Sequence, residues 1–198
     1  MLAPVPAAGT PPGECVSGAA TTVDSADAAD EVVGAALTVH RLLAARSATV
    51  AVAESLTGGL LGAALTHAAG SSATFRGGII AYATAAKSSL LGVPGSLLVQ
   101  HGPVHAEVAA AMAAGARERL DATYGLATTG VAGPQPQDGT PAGTVFLAVA
   151  GPDGVETVRR RLAGDRAQVR RLTVVHALDM LRRTLAGPSP YPRAEHDV

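Results

Sequence analysis

Aromatic residues are scarce in this sequence: they make up 3% of its 198 residues, and tryptophan is missing altogether. The hydrophobic fraction is nevertheless 47%, which is enough for a complete core. That core must therefore be built from Ala, Val and Leu, a composition that suits helices packed closely on a sheet. The length is typical of one domain with a short tail.

Charged residues are also few, at 16% of the chain, and the formal net charge is −1. Binding to a nucleic-acid backbone depends on many clustered cations that displace counterions. The composition therefore gives no indication of a nucleic-acid partner. The basic residues are concentrated late in the chain, in Arg159–Arg161, Arg166, Arg170–Arg171 and Arg182–Arg183.

Cysteine occurs once, as Cys15, so an internal disulfide is excluded and a reducing compartment is favoured. The N-terminal region lacks the basic residues of a secretory signal peptide, and several prolines interrupt its apolar stretches. No run approaches the roughly 18 uninterrupted apolar residues that predict a membrane span. A cytoplasmic location is the simplest interpretation.

Lysine is almost absent, because Lys87 is the single lysine among 15 basic residues. Arginine cannot act as a base, since its guanidinium stays protonated. Lysine can, when burial or nearby cations lower its pKa. A chain that otherwise uses arginine should retain lysine where a neutral amine is needed, although a chance surface lysine is the alternative.

The chain divides into a Pro/Gly/Ala-rich segment, residues 1–26, predicted to be disordered, a domain over residues 27–187, and a second disordered tail, residues 188–198. Within the domain, the pattern predicts the order helix–strand–helix–strand–helix–helix–strand–hairpin–helix. Helices alternate with the early strands, and the late hairpin, predicted to turn at Pro152-Asp153-Gly154, requires antiparallel pairing. The sequence therefore predicts an α/β fold, a three-layer α/β/α sandwich with a mixed sheet.

A candidate nucleophile, Ser55, follows a predicted buried strand and precedes a predicted helix from Leu60. Ligands of α/β sheets bind beyond the carboxyl ends of strands. The amides of Thr57, Gly58 and Gly59 at the helix start could hold an oxyanion or a phosphate. The alternative is that Ser55 or Thr57 only caps the helix.

A serine hydroxyl needs a base. The six histidines fall in or beside helices or in the tail, so a histidine-dependent triad is disfavoured, although position alone leaves His101 and His105 open. Tyr82 is predicted to end the second strand, and Lys87 lies in the helix that follows. These two residues and Ser55 can converge at one edge of the sheet, where Tyr82 would orient the lysine or remain an ordinary strand-end aromatic.

A second polar loop follows the predicted strand that ends at Thr129. The amides around Gly130, Ala132 and Gly133 suit a phosphate or an amide, and a plain turn is the alternative. The loop lacks the Lys-Ser/Thr ending of a P-loop, so it does not indicate nucleotide triphosphate binding.

The start of the last predicted helix carries Asp165, a natural N-cap, followed by Arg166. Arg166 could bind a phosphate or carboxylate in a bidentate manner. The other late arginines are expected to form a solvated or subunit-facing stripe.

Together these segments resemble the CinA C-terminal domain family, whose enzymatic members are nicotinamide-nucleotide amidohydrolases. The resemblance covers roughly residues 28–186. The matching stretches are AESLTGG (53–59), GSSATFRGGIIAYATAAK (70–87), LLGVP (90–94), HGPV (101–104), TTGVAGP (128–134), GTVFLAV (143–149) and GDRAQVRR (164–171).

The resemblance implies a mixed, mostly parallel five-stranded sheet and hydrolysis of the carboxamide of nicotinamide mononucleotide to nicotinic acid mononucleotide and ammonia. It assigns Ser55, Lys87 and Tyr82 to catalysis. It assigns Thr129 and Arg166 to the substrate, and it implies no metal or organic cofactor. It also implies the stand-alone form of the domain, because only a short tail precedes it here.

The sequence departs from the family pattern at Leu56, where Cys is frequent, at residues 83–86, and at His105, where Ser is common. None of these changes removes a proposed catalytic group. Two other functions stay open: a non-catalytic module linked to competence or DNA damage, and a Ser–Lys amidase for a different amide. The oligomeric state is also open, with a homo-oligomer as one alternative.

Overall fold

The computed structural model describes residues 23–187, and it defines side-chain surroundings from residue 30 onward. The first helix begins at Val23, four residues before the predicted domain start at residue 27. The rest of the predicted N-terminal tail and the predicted C-terminal tail lie outside the described residues.

The order of helices and strands is the predicted one, except that a further short helix, Gly95–His101, lies between the two helices predicted after the second strand. The elements are α1 (Val23–Ala44), β1 (Val50–Glu54), α2 (Leu60–Thr66), a 3₁₀ turn (Ser71–Ala73), β2 (Phe75–Ile80), α3 (Thr84–Leu91), α4 (Gly95–His101), α5 (Ala106–Arg119), β3 (Tyr124–Gly130), β4 (Thr144–Gly151), β5 (Gly154–Arg161) and α6 (Arg166–Ala186). Over residues 23–187, no helix is long and apolar enough to cross a membrane.

The five strands form one sheet in the order β2-β1-β3-β4-β5. Strand β1 pairs in parallel with β2 and β3, whereas β4 pairs antiparallel with both β3 and β5. Four strands therefore run in one direction and β4 runs in the other, which confirms the mixed, mostly parallel sheet. The carboxyl ends of β1, β2 and β3 meet at the same edge, where the chain order switches sides around β1.

Side chains alternate between the two faces of the sheet, as the period of a strand requires. In β1, Val50 and Val52 pack with α1, α2 and α6, whereas Ala51 and Ala53 pack against the layer that contains α3 and α5. In β4, Val145, Leu147 and Val149 lie on the first face, and Ala148 and Ala150 lie on the second together with Phe146. These two cores make the three layers of the predicted sandwich.

The alanine face lets α5 approach the sheet very closely. A Cβ added to Gly125 of β3 would lie 2.0 Å from the Ala113 carbonyl oxygen, and one added to Gly115 would lie 1.9 Å from the Leu91 carbonyl oxygen. Both distances are far below van der Waals contact, so these positions require glycine. The small alanine and glycine residues therefore allow α5 to pack tightly against both the sheet and α3.

Two local predictions, one about the start of a helix and one about a hairpin turn, are confirmed. Asp165 caps α6 in a capping box, in which its side chain accepts from the Gln168 amide and the Gln168 side chain accepts from the Asp165 amide. The hairpin between β4 and β5 turns at Pro152 and Asp153, between Gly151 and Gly154.

Candidate active site

A cavity of about 360 Å³ opens at the carboxyl edge of the sheet. This volume is within the range of about 300 to 1,000 Å³ that is usual for small-molecule sites. Its walls are formed by Ser55, Leu56, Tyr82, Thr84, Lys87, Pro103, Val104, residues 129–137 and Arg166. The fold thus brings most of the predicted site residues together, and no histidine of the described chain is among the lining residues.

Lys87 is buried, with 1% of its surface exposed. Its Nζ donates to the Ala81 carbonyl oxygen at 3.2 Å and to the Met112 sulfur at 3.7 Å. Among residues 30–187 no carboxylate pairs with it, so no opposite charge offsets the loss of water around the amine. Burial therefore lowers the pKa of Lys87 to about 8, from an ordinary value of 10.5.

Ser55 lies directly after β1 and is 8% exposed. Its amide donates to the Thr128 carbonyl oxygen at 3.0 Å, which continues the β1–β3 pairing past the strand end and fixes the backbone of the serine. Ser55 and Lys87 line the same cavity without a hydrogen bond between their side chains in this conformation. The predicted convergence of the two residues is present, and the direct contact between them is not formed.

The start of α2 is occupied by a carboxylate that the sequence analysis overlooked. Glu54, buried at the end of β1, accepts from the amides of Gly59 at 2.9 Å, Leu61 at 3.2 Å and Gly62 at 2.8 Å. It therefore neutralises the positive end of the helix from inside the protein. The expectation that Ser55 or Thr57 caps this helix is wrong, and so is the use of the Gly59 amide for an oxyanion.

Of the other two predicted oxyanion donors, the Gly58 amide is engaged, whereas the Thr57 amide makes no hydrogen bond within the described residues. The Gly58 amide donates to the Ser55 carbonyl oxygen at 3.1 Å, and the buried Thr57 hydroxyl shares a hydrogen bond with Thr128 at 2.8 Å. Neither residue lines the cavity. The Leu56 amide likewise makes no hydrogen bond within the described residues, but Leu56 does line the cavity. The donor that fits an oxyanion is thus the amide directly after the serine.

A side chain of α6 hydrogen-bonds to the turn that follows Ser55. Arg170 donates from Nε to the Leu56 carbonyl oxygen at 2.9 Å and from Nη2 to the Thr57 carbonyl oxygen at 2.7 Å. The expectation that Arg170 belongs to a solvated stripe is therefore wrong. Its neighbour Arg171 does behave so, since it only pairs with Glu31 at 3.5 Å on the surface.

The outer wall of the cavity is formed by Tyr82 and Arg166. The strand β2 ends at Ile80, so Tyr82 lies beyond it and is 60% exposed. Arg166 donates to the Tyr82 hydroxyl and to the Gly133 carbonyl oxygen, both at 2.9 Å. Tyr82 therefore contacts Arg166, and not Lys87 as expected.

The glycine-rich loop after β3 is tied to two neighbours. The Thr129 hydroxyl donates to the Pro103 carbonyl oxygen at 2.8 Å, which joins the loop to the segment between α4 and α5. A Cβ at Gly130 would lie 2.6 Å from the Thr144 carbonyl oxygen, so this position accepts only glycine. The residues of the predicted substrate loop thus line the cavity on a fixed backbone, and Gln135 and Gln137 line it as well.

These features define an α/β protein with a small-molecule site built from a serine, a buried lysine and an exposed arginine at the switch point of its sheet. The family model for the CinA C-terminal domain matches residues 34–185. The chain belongs to this family, as the motifs of its sequence predict.

Two curated relatives show how much of a longer protein this chain corresponds to. A CinA-like protein of Frankia casuarinae is 61% identical over 146 residues, covering 74% of this chain and 34% of the relative. A putative competence-damage inducible protein of Streptococcus agalactiae is 44% identical over 151 residues, covering 76% of this chain and 36% of the relative. The chain thus spans about a third of the length of these relatives.

Solved structures of the same superfamily have the same fold. The competence damage-inducible protein A of Klebsiella pneumoniae superposes with a TM-score of 0.77 at 35% identity, covering 79% of this chain and 98% of that one. A competence/damage inducible protein of Agrobacterium tumefaciens gives a TM-score of 0.75 at 36% identity, with 79% and 96% covered.

Proposed function

We propose that this protein hydrolyses the carboxamide of nicotinamide mononucleotide to nicotinic acid mononucleotide and ammonia, with Ser55 as nucleophile and Lys87 as base. The observation that carries the proposal is the burial of Lys87 without an anionic partner, in the wall that it shares with Ser55. A pKa of about 8 leaves an appreciable neutral fraction of the amine near neutral pH. The family resemblance supplies the substrate.

In the first half of the reaction, neutral Lys87 takes the proton from the Ser55 hydroxyl while Oγ attacks the carboxamide carbon. The side chains come into contact at this step, as is usual for catalytic hydrogen bonds that are long in the free enzyme. The developing oxyanion accepts from the Leu56 amide. Lys87 then returns its proton to the leaving nitrogen, so that ammonia departs and an ester to Ser55 remains.

In the second half, Lys87 is neutral again. It takes a proton from water while the water oxygen attacks the ester carbon. The proton passes to Ser55 Oγ, the ester bond breaks, and the product acid is released. In each half Lys87 first accepts a proton and then donates it, so the reaction requires no further titrating residue.

The outer wall would hold the nucleotide portion of the substrate. Arg166 is exposed, carries a fixed charge and already points into the region between Tyr82 and Gly133. It can exchange one of these neutral acceptors for a phosphate oxygen, which makes a stronger, charge-assisted bond. Gly130, Ala132 and Gly133 line the same region, and amides of this loop would take the remaining phosphate or ribose oxygens.

The direct test is release of ammonia from nicotinamide mononucleotide by the wild-type protein and by Ser55→Ala. Ser89→Ala is a matched control, because it removes an exposed hydroxyl of α3 outside the cavity. We expect wild type and Ser89→Ala to release ammonia at the same rate, and Ser55→Ala to lose the activity. Full activity in Ser55→Ala would contradict the assignment of the nucleophile.

The same assay separates the two alternative functions. A Ser–Lys amidase for another substrate would release ammonia from a different carboxamide and not from nicotinamide mononucleotide. A binding module linked to competence or DNA damage would release none from either. We also propose that the protein is cytoplasmic and has no nucleic-acid partner. Self-association of the chain stays a prediction.

A further inference from the structure

Three side chains that commonly ligate metals meet where α4 ends and α5 begins. His101 is the last residue of α4, His105 is the N-cap of α5, and Glu107 lies in its first turn. One donor atom from each of the three lies within 4.8 Å of the others. We propose that His101, His105 and Glu107 bind a divalent transition-metal ion of the Zn²⁺ type, at a site separate from the Ser55–Lys87 pair.

The donor set determines the class of ion. Two imidazole nitrogens and one carboxylate oxygen suit zinc, cobalt and nickel, whereas magnesium and calcium prefer oxygen ligands throughout. Three protein ligands also leave one position of a tetrahedral ion open for water or an anion.

The geometry needs only side-chain rotation to form the site. His101 Nε2 lies 3.8 Å from Glu107 Oε1, and donors around a zinc ion with bonds near 2 Å are separated by roughly 3.3 Å. The two imidazole rings are stacked, with centroids 4.1 Å apart and an angle of 6° between their planes. Because in-plane lone pairs of stacked rings run parallel, one ring must turn to share an ion with the other.

What this rotation gives up is small. His105 Nδ1 accepts from the Glu107 amide at 3.3 Å, which is a long hydrogen bond. Both histidines are half-buried and Glu107 is exposed, and beyond the stacked pair His105 has one further ring contact, with Phe146 at a centroid distance of 6.0 Å. The ion would replace a stacking contact and one weak capping bond by three ligand bonds.

The surroundings favour a cation and connect it with the main cavity. A neighbouring cavity of about 270 Å³ is lined by both His101 and Asp138, so a second carboxylate borders the same cavity as one of the proposed ligands. The segment between the two histidines includes Pro103, which lines the main cavity and accepts from Thr129. A bound ion would therefore hold this wall in place without touching the reacting serine.

The test uses the full chain and Co²⁺, which gives intense visible absorption when four-coordinate, with Zn²⁺ as competitor. We expect saturable binding of one ion and displacement of Co²⁺ by Zn²⁺. His101→Ala, His105→Ser and Glu107→Gln should each weaken binding by about tenfold or more, since even indirect partners of metal ligands have effects of that size. His105→Ser retains an N-capping hydroxyl, so it separates loss of a ligand from loss of the cap.

His67→Ala is the control, because His67 lies beyond the end of α2, outside the cluster, and should leave binding unchanged. Cys15 and His196 lie outside the described residues and are alternative soft donors. Binding that persists in His101→Ala/His105→Ser would place the ion elsewhere and overturn the proposal. Absence of binding by the wild type would overturn it too and leave His105 as a helix cap.

Discussion

The two cations of the main cavity, Lys87 on its inner wall and Arg166 on its outer wall, differ in nearly every physical respect. Lys87 is 1% exposed, and its Nζ donates to a carbonyl oxygen and a sulfur, whereas Arg166 is exposed and joins Tyr82 to the loop after β3. One positive charge is costly where it stands, and the other is well solvated. The inner cation is thus prepared to lose a proton, and the outer one is prepared to attract an anion.

This difference teaches which residue type each wall can accept. A guanidinium in the place of Lys87 would stay charged and would have to be desolvated. An amine in the place of Arg166 would lose the fork that reaches two acceptors at once. The single lysine and the late arginines of the composition are therefore not interchangeable at these two positions.

The largest effect on activity is expected from substitutions of Lys87, the cation of the inner wall. Lys87→Arg and Lys87→Met should each lower kcat by about a thousandfold or more, because neither side chain can accept the serine proton. Lys87→Met is the sharper variant, since it also removes a desolvation cost of about 3 kcal/mol and should fold at least as stably as the wild type. Steady-state ammonia release and thermal unfolding measure the two effects, and substantial activity in Lys87→Arg would refute the neutral-amine mechanism.

The next prediction is that activity and stability depend on pH through the titration of Lys87. Because the neutral amine is the active form, kcat/KM should rise about tenfold per pH unit below pH 8 and level off above it. The folded pKa of Lys87 is lower than the unfolded one, so the folded protein binds fewer protons between about pH 8 and 10.5. Wild-type stability should therefore rise with pH across that window relative to Lys87→Met. A flat rate profile between pH 6 and 9 would assign the base to another group.

A smaller effect tests the outer wall. Arg166→Gln should raise KM for nicotinamide mononucleotide by about tenfold and change kcat much less, because it removes a contact that substrate and transition state share. Arg171→Gln is the matched control, since Arg171 is on the same helix and pairs with Glu31 away from the cavity. The division between the walls would fail if Arg166→Gln lowered kcat and left KM unchanged.

The smallest effect concerns the support of the serine turn. Arg170→Gln removes two charged hydrogen bonds to the Leu56 and Thr57 carbonyl oxygens and should lower the free energy of unfolding by about 1 kcal/mol. A modest fall in kcat should accompany it, because the Leu56 amide moves with the turn. Denaturant unfolding and ammonia release check this, and a loss of activity as deep as in Ser55→Ala would place Arg170 in the chemistry itself.

Much of the molecule follows from local signals. The periodicity of the strands and helices predicts the sheet and its layers, and the capping residue Asp165 and the Pro-Asp-Gly turn mark where elements begin and end. Ser55 and Lys87 could be selected because strand ends and an isolated residue type are visible along the chain. The roles of Glu54, Leu56 and Arg170 could not, because each depends on where a backbone group of a distant segment points.

The sequence by itself determined the fold class, the family, the serine and the single lysine, since these depend on pattern and residue identity. Only the tertiary structure decided that Glu54 takes the amides of α2, that Arg170 holds the serine turn and that Tyr82 contacts Arg166. It also decided the lowered pKa of Lys87, because desolvation comes from the elements that pack around the amine. Residue types fix what a group can do, and packing fixes its solvent and its partners.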